Sequence, residues 1–174
     1  MKVILLYVSS LDGKVTKWGQ KNIYWWTSAE DVIHFRSTII KNKLLVMGSN
    51  TFNAVHPKPA EGIRRIVLTR EPEKYTKYAV PGQLEFMNVS PAKLIEQLEH
   101  EGYKHLLLVS GKTLSTEFLK KQLVNEIWLT IEPKIFGIGD SMVTEEKLNV
   151  HLQLIKLQKL NRKGTLLIKY KVEK

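Results

Sequence analysis

Short apolar segments rich in valine, isoleucine and leucine alternate along the chain with segments whose apolar residues recur every three or four positions. The first pattern is typical of strands that are buried on both faces, and the second is typical of amphipathic helices. Strands that alternate with helices form a largely parallel sheet, because right-handed crossovers place the helices on its two faces. The predicted fold class is therefore α/β, with three layers, α/β/α, around a mostly parallel central sheet.

The predicted strands cover residues 3–9, 43–48, 64–69, 84–89, 103–109 and 126–132. Helices are predicted to begin at Ser28, after Gly48, at Ser90 and at Leu114. Two further strands, at about residues 150–158 and 165–172, flank a turn and predict a C-terminal antiparallel hairpin. No linker or repeat interrupts this series, so residues 1–174 are predicted to form a single domain.

The composition excludes several classes of protein. The chain has 174 residues and no cysteine, which rules out a disulfide framework, a thiol nucleophile and a cysteine-ligated zinc site. No apolar run approaches the roughly 20 residues that cross a bilayer, so no membrane partner is expected. The histidines show no ligand spacing, so no metal site is predicted. A chain without cysteine suits the cytoplasm, which is the expected location.

The chain carries a formal net charge of +10, and much of the excess lies near the C-terminus, where lysines alternate with apolar residues. A strand with one solvent-exposed face explains that alternation. Attraction to a phosphorylated ligand is the alternative explanation. We expect no specific nucleic-acid partner.

Three of the predicted strands end in small polar turns. These turns contain Gly48, Ser49, Asn50 and Thr51, then Thr69 and Arg70, and finally Ser110, Gly111, Lys112, Thr113 and Leu114. Ligands of open α/β sheets bind at the carboxyl ends of the strands, and a helix N-terminus suits a phosphate. Taken together the turns predict an extended, multiply phosphorylated ligand such as a dinucleotide, although each one alone is compatible with ordinary helix capping.

The familiar phosphate-binding fingerprints do not occur at these turns. No G-x-G-x-x-G sequence follows the first strand. The Gly-Lys-Thr sequence at 111–113 lacks the upstream glycine of a P-loop, because Leu106 occupies that position. A dinucleotide would therefore bind in a different way from that of the common fingerprint folds.

Asp31, with Glu30 beside it, is the acid expected in the pocket near a long loop rich in aromatic residues, 11–27. A carboxyl group one turn into a helix can hydrogen-bond the N–C–N edge of a heterocycle and can move a proton. The spacing between Ser28 and Asp31 also fits a helix cap that is stabilised by the helix dipole. Spacing alone leaves both interpretations open.

Several short motifs follow one another along the chain. They are Ser10-Leu11-Asp12-Gly13-Lys14, the set Trp26, Asp31 and Phe35, Val46-Met47-Gly48-Ser49-Asn50-Thr51-Phe52, Leu68-Thr69-Arg70, Val109-Ser110-Gly111, and Leu123-Val124-Asn125-Glu126-Ile127-Trp128-Leu129-Thr130. In this order they resemble the dihydrofolate reductase superfamily over nearly the whole chain. The resemblance is closest to the C-terminal reductase domain of the riboflavin-biosynthesis deaminase–reductase.

The resemblance implies a dihydrofolate reductase-like fold and an NADPH-dependent reductase of a small heterocyclic substrate, of the riboflavin-biosynthesis type. It assigns Asp31 to orienting or protonating the substrate, with Thr130 as its hydrogen-bond partner. Val8, Trp26 and Phe35 would complete the substrate site, NADPH would lie across the three turns, and the loop 11–27 would act as a lid. Relatives in this branch also suggest a homodimer.

The chain departs from the pattern of this family at several positions. Ser110 replaces the first of two glycines, and Ser49 stands where dihydrofolate reductases often carry arginine. Leu6 and Val32 stand where the riboflavin-type enzymes usually carry a lysine and an arginine. The sequence therefore does not decide whether the substrate is a phosphoribosylamino-pyrimidine or a pterin. A dihydrofolate reductase and a catalytically idle nucleotide-binding protein are the alternatives.

Overall fold

A computed structural model of the chain describes residues 1–20 and 23–173. The strands are β1 (Lys2–Ser10), β2 (Leu44–Gly48), β3 (Arg64–Leu68), β4 (Leu84–Met87), β5 (His105–Leu108), β6 (Glu126–Glu132), β7 (Leu152–Lys159) and β8 (Leu166–Val172). The helices are α1 (Ala29–Asn42), α2 (Ser49–Val55), α3 (Pro91–His100) and α4 (Lys112–Lys120), with 3₁₀-helices at Ile23–Trp25 and Pro72–Tyr78. Over these residues, no helix combines the length and the apolar character that crossing a bilayer requires.

All eight strands belong to one sheet, in the order β4-β3-β2-β5-β1-β6-β8-β7. Strands β1 to β6 pair in parallel, and β8 pairs antiparallel with both β6 and β7. The predicted mostly parallel sheet with an antiparallel C-terminal hairpin is confirmed. Strand β1 lies in the interior of the sheet, where Val8 pairs with Thr130 of β6.

Helices cover both faces of the sheet, as the three-layer prediction requires. On one face, Phe35 and Ile39 of α1 pack against Leu6 and its buried neighbours, and Phe52 of α2 packs beside them. On the other face, α3 and α4 contribute their apolar side chains to the largest core cluster. That cluster includes Val3, Leu5, Leu94, Leu98, Leu106, Leu108 and Phe118. Each such buried side chain stabilises the fold by about 2 kcal/mol.

The helices begin in two different ways. Ser28 and Ser90 cap α1 and α3, and each side chain accepts a hydrogen bond from a backbone N–H three residues later. Gly48 and Gly111 precede α2 and α4 and provide no side-chain cap. The prediction placed the start of α4 two residues late, because it took Leu114 as the first residue of the apolar pattern.

Candidate active site

A cleft of about 1330 Å³ opens at the carboxyl ends of the parallel strands, where an open α/β sheet binds its ligands. The structure brings most of the sequence-predicted site residues to this one cleft. They are Val8, Asp31, Phe35, Gly48, Ser49, Asn50, Thr51, Thr69, Arg70, Ser110, Gly111, Lys112, Thr113 and Leu114. The strand ends lie side by side because β1, β2, β3 and β5 are parallel and adjacent, so that turns distant in sequence meet at one edge.

The Asp31 side chain lies in the first turn of α1 and is 6% exposed. Burial raises the pKa of its carboxyl group to about 6, and the negative charge of Glu132 contributes in the same direction. A hydrogen bond with the Thr130 side chain acts in the opposite direction and stabilises the ionised form. The carboxyl group can therefore hold or release a proton within about one pH unit of neutrality.

The Ser28–Asp31 spacing was compatible with a helix cap and with a carboxyl group available at the cleft, and the structure contains both. The backbone N–H of Asp31 donates to the Ser28 hydroxyl at 3.3 Å, so the serine does cap the helix. The carboxyl group of Asp31 instead interacts with Thr130 on β6. The cap uses the main chain of Asp31 and leaves its carboxyl group at the cleft.

Sequence reasoning missed Glu132, which is 2% exposed at the end of β6. Its carboxylate accepts hydrogen bonds from the Ser28 backbone N–H at 2.7 Å and from the Thr165 hydroxyl at 2.9 Å. Glu132 therefore joins the start of α1 to the start of β8. The period of two along a strand places Thr130 and Glu132 on one face, and this signal could have indicated the residue.

Trp26 is 3% exposed and packs edge-on against Phe136, with the ring centroids 5.0 Å apart. Its backbone carbonyl accepts a hydrogen bond from the Lys134 ammonium group. Of the predicted site residues, Trp26 and Thr130 do not line the cleft within the described part of the chain. Thr130 acts on the site by its hydrogen bond with Asp31. That Trp26 helps to close the pocket stays a prediction.

Gly48 and Gly111 lie at the N-termini of two helices on the outer part of the cleft. The backbone N–H of Gly111 donates to the Thr51 hydroxyl at 3.1 Å and so holds the two turns together. A Cβ at either glycine would meet its nearest neighbour at 3.8 Å, so packing within the chain does not require glycine there. Uncapped helix N-termini with room at the backbone fit the pyrophosphate of a dinucleotide.

Two cations lie near these turns. Arg70 is exposed directly after β3, beside Thr69. The Lys112 ammonium group forms an ion pair with Asp140 at 2.7 Å, and both side chains are close to half exposed. An ion pair in water is worth less than about 1 kcal/mol, so Lys112 can exchange this partner for a phosphate.

The sequence model of the RibD C-terminal domain family matches residues 1–166. This chain belongs to the RibD C-terminal domain family. A comparison with curated protein sequences gave no match.

Solved structures show the same fold at low sequence identity. A pyrimidine reductase-like protein from Corynebacterium diphtheriae has a TM-score of 0.82 at 14% identity, covering 99% of this chain and 92% of its own. A deaminase/5-amino-6-(5-phosphoribosylamino)uracil reductase from Thermotoga maritima scores 0.75 at 16% identity, over 98% of this chain and 56% of its own. Dihydrofolate reductase from Enterococcus faecalis, complexed with NADP(H), scores 0.67 at 19% identity, over 99% and 97%.

In this member of the RibD C-terminal domain family, the first part of the predicted lid is tied to the loop after β6. Asp12 accepts hydrogen bonds from the backbone N–H groups of Phe136 and Gly137 at 3.1 and 2.8 Å. A hydrogen bond from the Ser10 hydroxyl, together with these two backbone bonds, lowers the pKa of Asp12 to about 2. Thr16 lies so close to Gly139 that a Cβ there would stand 2.1 Å from the Thr16 carbonyl oxygen. Residues 21 and 22 of the predicted lid lie outside the described residues.

The two departures that concern the substrate of this family both line the cleft. They are Leu6, which is 3% exposed and also packs in the core, and Val32 in the first turns of α1. Three cations that sequence reasoning missed also line the cleft, namely Arg36, Lys58 and Arg65. For Arg65 the available signal was a pair of arginines, Arg64 and Arg65, at the start of a strand whose other residues are apolar.

Proposed function

We propose that this chain is an NADPH-dependent reductase of a small heterocyclic substrate, of the riboflavin-biosynthesis type, acting on 5-amino-6-(5-phosphoribosylamino)uracil. The observation that carries the proposal is the buried Asp31 carboxyl group at a cleft whose outer part has two uncapped helix N-termini. A titratable group in a dinucleotide-sized cleft is what reduction of a polar double bond requires of a protein.

The residues present fit the cofactor in three places. The backbone N–H groups after Gly48 and Gly111 would hold the pyrophosphate, and Thr69 with Arg70 would hold the 2′-phosphate that distinguishes NADPH from NADH. When bound, NADPH supplies the hydride for a C=N or C=O carbon of the substrate. The printed description of the Enterococcus relative as an NADP(H) complex supports the choice of cofactor.

The chain's own residues supply the proton and the geometry. Asp31 gives a proton to the nitrogen or oxygen of the double bond as its carbon is reduced, so that one hydride and one proton are added together. Thr130 orients the carboxyl group. Burial, with a contribution from the Glu132 charge, raises the pKa of Asp31 and keeps the proton on it at a higher pH than in an exposed aspartate. Val8 and Phe35 present apolar surface to the ring and keep water from it.

An NADPH-oxidation assay tests this proposal. We expect oxidation with 5-amino-6-(5-phosphoribosylamino)uracil, formation of the ribitylamino product, and loss of both in Asp31→Asn. Oxidation that does not depend on any added substrate, or none with this substrate at saturating NADPH, would reject it.

A dihydrofolate reductase is the second candidate. It is favoured by the contact between Asp31 and Thr130, which lie at the positions where the sequence resembles that family, and by the match to the Enterococcus enzyme. The same assay with dihydrofolate decides between the two substrates. NADPH binding without oxidation of either one would favour the idle nucleotide-binding protein.

We also propose that the chain forms a homodimer through the outer end of the sheet. The edge strand β7 exposes Leu154 and Leu157 by 55% and 59% on one face, next to Ile168 of β8. Lys156 and Lys169 pair on the opposite face, so two copies can join their apolar faces without opposing those lysines. The cytoplasmic location remains a prediction from the cysteine-free composition.

A further inference from the structure

The cleft extends from Asp31 into a groove between α1 and the loop that follows α2. Its lining includes Phe35, Arg36 and Ile39 of α1 and Pro57 and Lys58 of that loop. Leu45 and Arg65 are adjacent on β2 and β3, and both line the groove. We call this region the α1–α2 groove. Its residues differ from those of the two glycine turns that fit the cofactor, although both sets line the same cleft.

Arg64 and Arg65 are neighbours in sequence but differ in their surroundings. The Arg64 guanidinium group donates to Glu85 at 2.9 and 3.1 Å and to Glu101, and it lies over the ring of Tyr103. Arg65 points to the other face of the sheet, because successive side chains of a strand alternate. Its Nη1 atom is buried and has no hydrogen-bond partner.

A buried guanidinium donor without a partner is unfavourable, because an arginine remains charged at every physiological pH. Burial acts against that charge and lowers the pKa of Arg65, while the neighbouring Tyr24 side chain acts in the opposite direction. In the described parts of the chain, no carboxylate forms an ion pair with Arg36, Lys58 or Arg65. The groove therefore carries three positive charges that the protein itself does not neutralise.

The acidic residues of the cleft lie elsewhere. Asp31 is at the start of α1, Glu117 pairs with Lys121, and Asp140 pairs with Lys112. A helix rises about 1.5 Å per residue, so Arg36 lies about 7 Å further along the α1 axis than Asp31. A substrate held by its heterocycle at Asp31 would thus reach the groove with a side chain of a few carbon atoms.

We propose that the α1–α2 groove binds the phosphate group of the substrate, with Arg65 as the principal contact and with Arg36 and Lys58 at its rim. A guanidinium group suits a phosphate because it can donate two parallel hydrogen bonds. These cations replace the basic residues that Leu6 and Val32 do not provide. The proposal rests on the proposed function for the identity of the substrate, but it names a site that can be measured without turnover.

Calorimetric titration of ribose 5-phosphate into the full chain, saturated with NADP⁺ to occupy the cofactor turns, tests the site directly. We expect Arg65→Met to weaken binding by about tenfold or more and Arg65→Lys to weaken it less. Arg64→Met removes the same charge from the adjacent position on the other face and should leave the affinity unchanged. Equal affinity in the parent and in Arg65→Met, or an equal loss in Arg64→Met, would overturn the proposal.

Steady-state kinetics separate this inference from the proposed function. With the phosphorylated substrate, Arg65→Met should raise KM about tenfold or more while kcat and the NADPH dissociation constant change little. If the parent chain oxidises no NADPH with this substrate, the proposed function fails and the ribose 5-phosphate titration still decides the role of Arg65. If the parent turns over and Arg65→Met keeps its KM, Arg65 does not bind the phosphate. Thermal unfolding of each variant shows that the fold is retained.

Discussion

Glu132 lies close enough to Asp31 for its negative charge to add to the effect of burial, which is the main cause of the raised pKa of the Asp31 carboxyl group. Hydrogen bonds from the Ser28 backbone and the Thr165 hydroxyl hold Glu132 in place. The two carboxyl groups therefore have different environments. The Glu132 carboxylate accepts hydrogen bonds from groups fixed in the fold, whereas the Asp31 carboxyl group can exchange a proton. Pairs of this kind separate the roles of two acids within one site.

Glu132→Gln removes the charge while keeping an acceptor for the Ser28 N–H. The pKa of Asp31 should fall, because a source of repulsion is lost and the hydrogen bond from Thr130 remains. In the pH profile, kcat should therefore begin to fall, as the pH is raised, at a lower pH than in the parent. Thr165→Val, which keeps the Glu132 charge, is the control and should leave the profile near that of the parent. An unchanged profile in Glu132→Gln would contradict the coupling.

Asp31→Asn removes the proton donor but keeps the size of the side chain. We expect kcat to fall by about 10²- to 10⁴-fold, the usual contribution of general acid catalysis. The NADPH dissociation constant should stay close to that of the parent, because the glycine turns do not involve Asp31. Fluorescence titration and single-turnover kinetics measure the two quantities. Turnover near the parent rate would reject the role given to Asp31.

The same substitution should stabilise the fold at neutral pH. The pKa of Asp31 is raised from 3.8 to about 6 on folding, which corresponds to about 3 kcal/mol of destabilisation once the group is ionised. The free energy of unfolding of the parent is unaffected below the pKa of Asp31 in the unfolded chain. It falls as the pH rises from there through the pKa of Asp31 in the folded protein. Thermal unfolding should show Asp31→Asn more stable by about 5–10 °C at neutral pH, with no gain near pH 3.5. Equal gains at both values would contradict the linkage.

Gly139→Ala should displace the first part of the lid. The new Cβ would stand 2.1 Å from the Thr16 carbonyl oxygen, so one of the two backbones has to move. We expect faster amide hydrogen exchange in residues 12–18 and a higher KM for NADPH and substrate. Ile138→Ala, at a side chain 75% exposed in the same loop, is the matched control. Parent-like exchange in Gly139→Ala would show that the loops are not joined there.

The proposed dimer can be tested at β7. Leu154→Glu combined with Leu157→Glu places charges on the exposed apolar face, which would disfavour the association of two copies. Sedimentation velocity should show a dimer for the parent and a monomer for the double variant. Lys156→Glu, on the opposite face, should leave the dimer intact. A monomeric parent at every concentration tested would reject the proposal.

Most of the fold could be predicted from the sequence because local pattern and global architecture agree. The strand predicted at residues 126–132 has those limits as β6, since Pro133 and the apolar alternation both mark its end. The start of α4 was placed late because Gly111, with no side chain to signal a cap, begins the helix before its first apolar residue. Edges of elements depend on such capping details, which composition does not show.

The part of the candidate site that depends on the order and direction of the strands could also be predicted from the sequence. Turns at strand ends could be placed together because parallel strands share a carboxyl edge. Sequence signals could mark Glu132 and Arg65 as unusual but could not assign their roles, because those roles depend on the neighbours that each side chain has or lacks in the fold. Thr165 approaches Glu132 from the connection between β7 and β8, directly before β8, and the contrast between Arg64 and Arg65 appears only once each face of β3 is known.

The place of β1 in the sheet has a consequence for how the chain is made. Its neighbours are β5 and β6, so Lys2 pairs with His105 and Ile4 pairs with Glu126. On the ribosome, β1 therefore stays without a strand partner until the chain has emerged at least as far as Leu108, the end of β5. Contacts this distant in sequence slow the search for the native state and leave the apolar β1 segment exposed in the meantime.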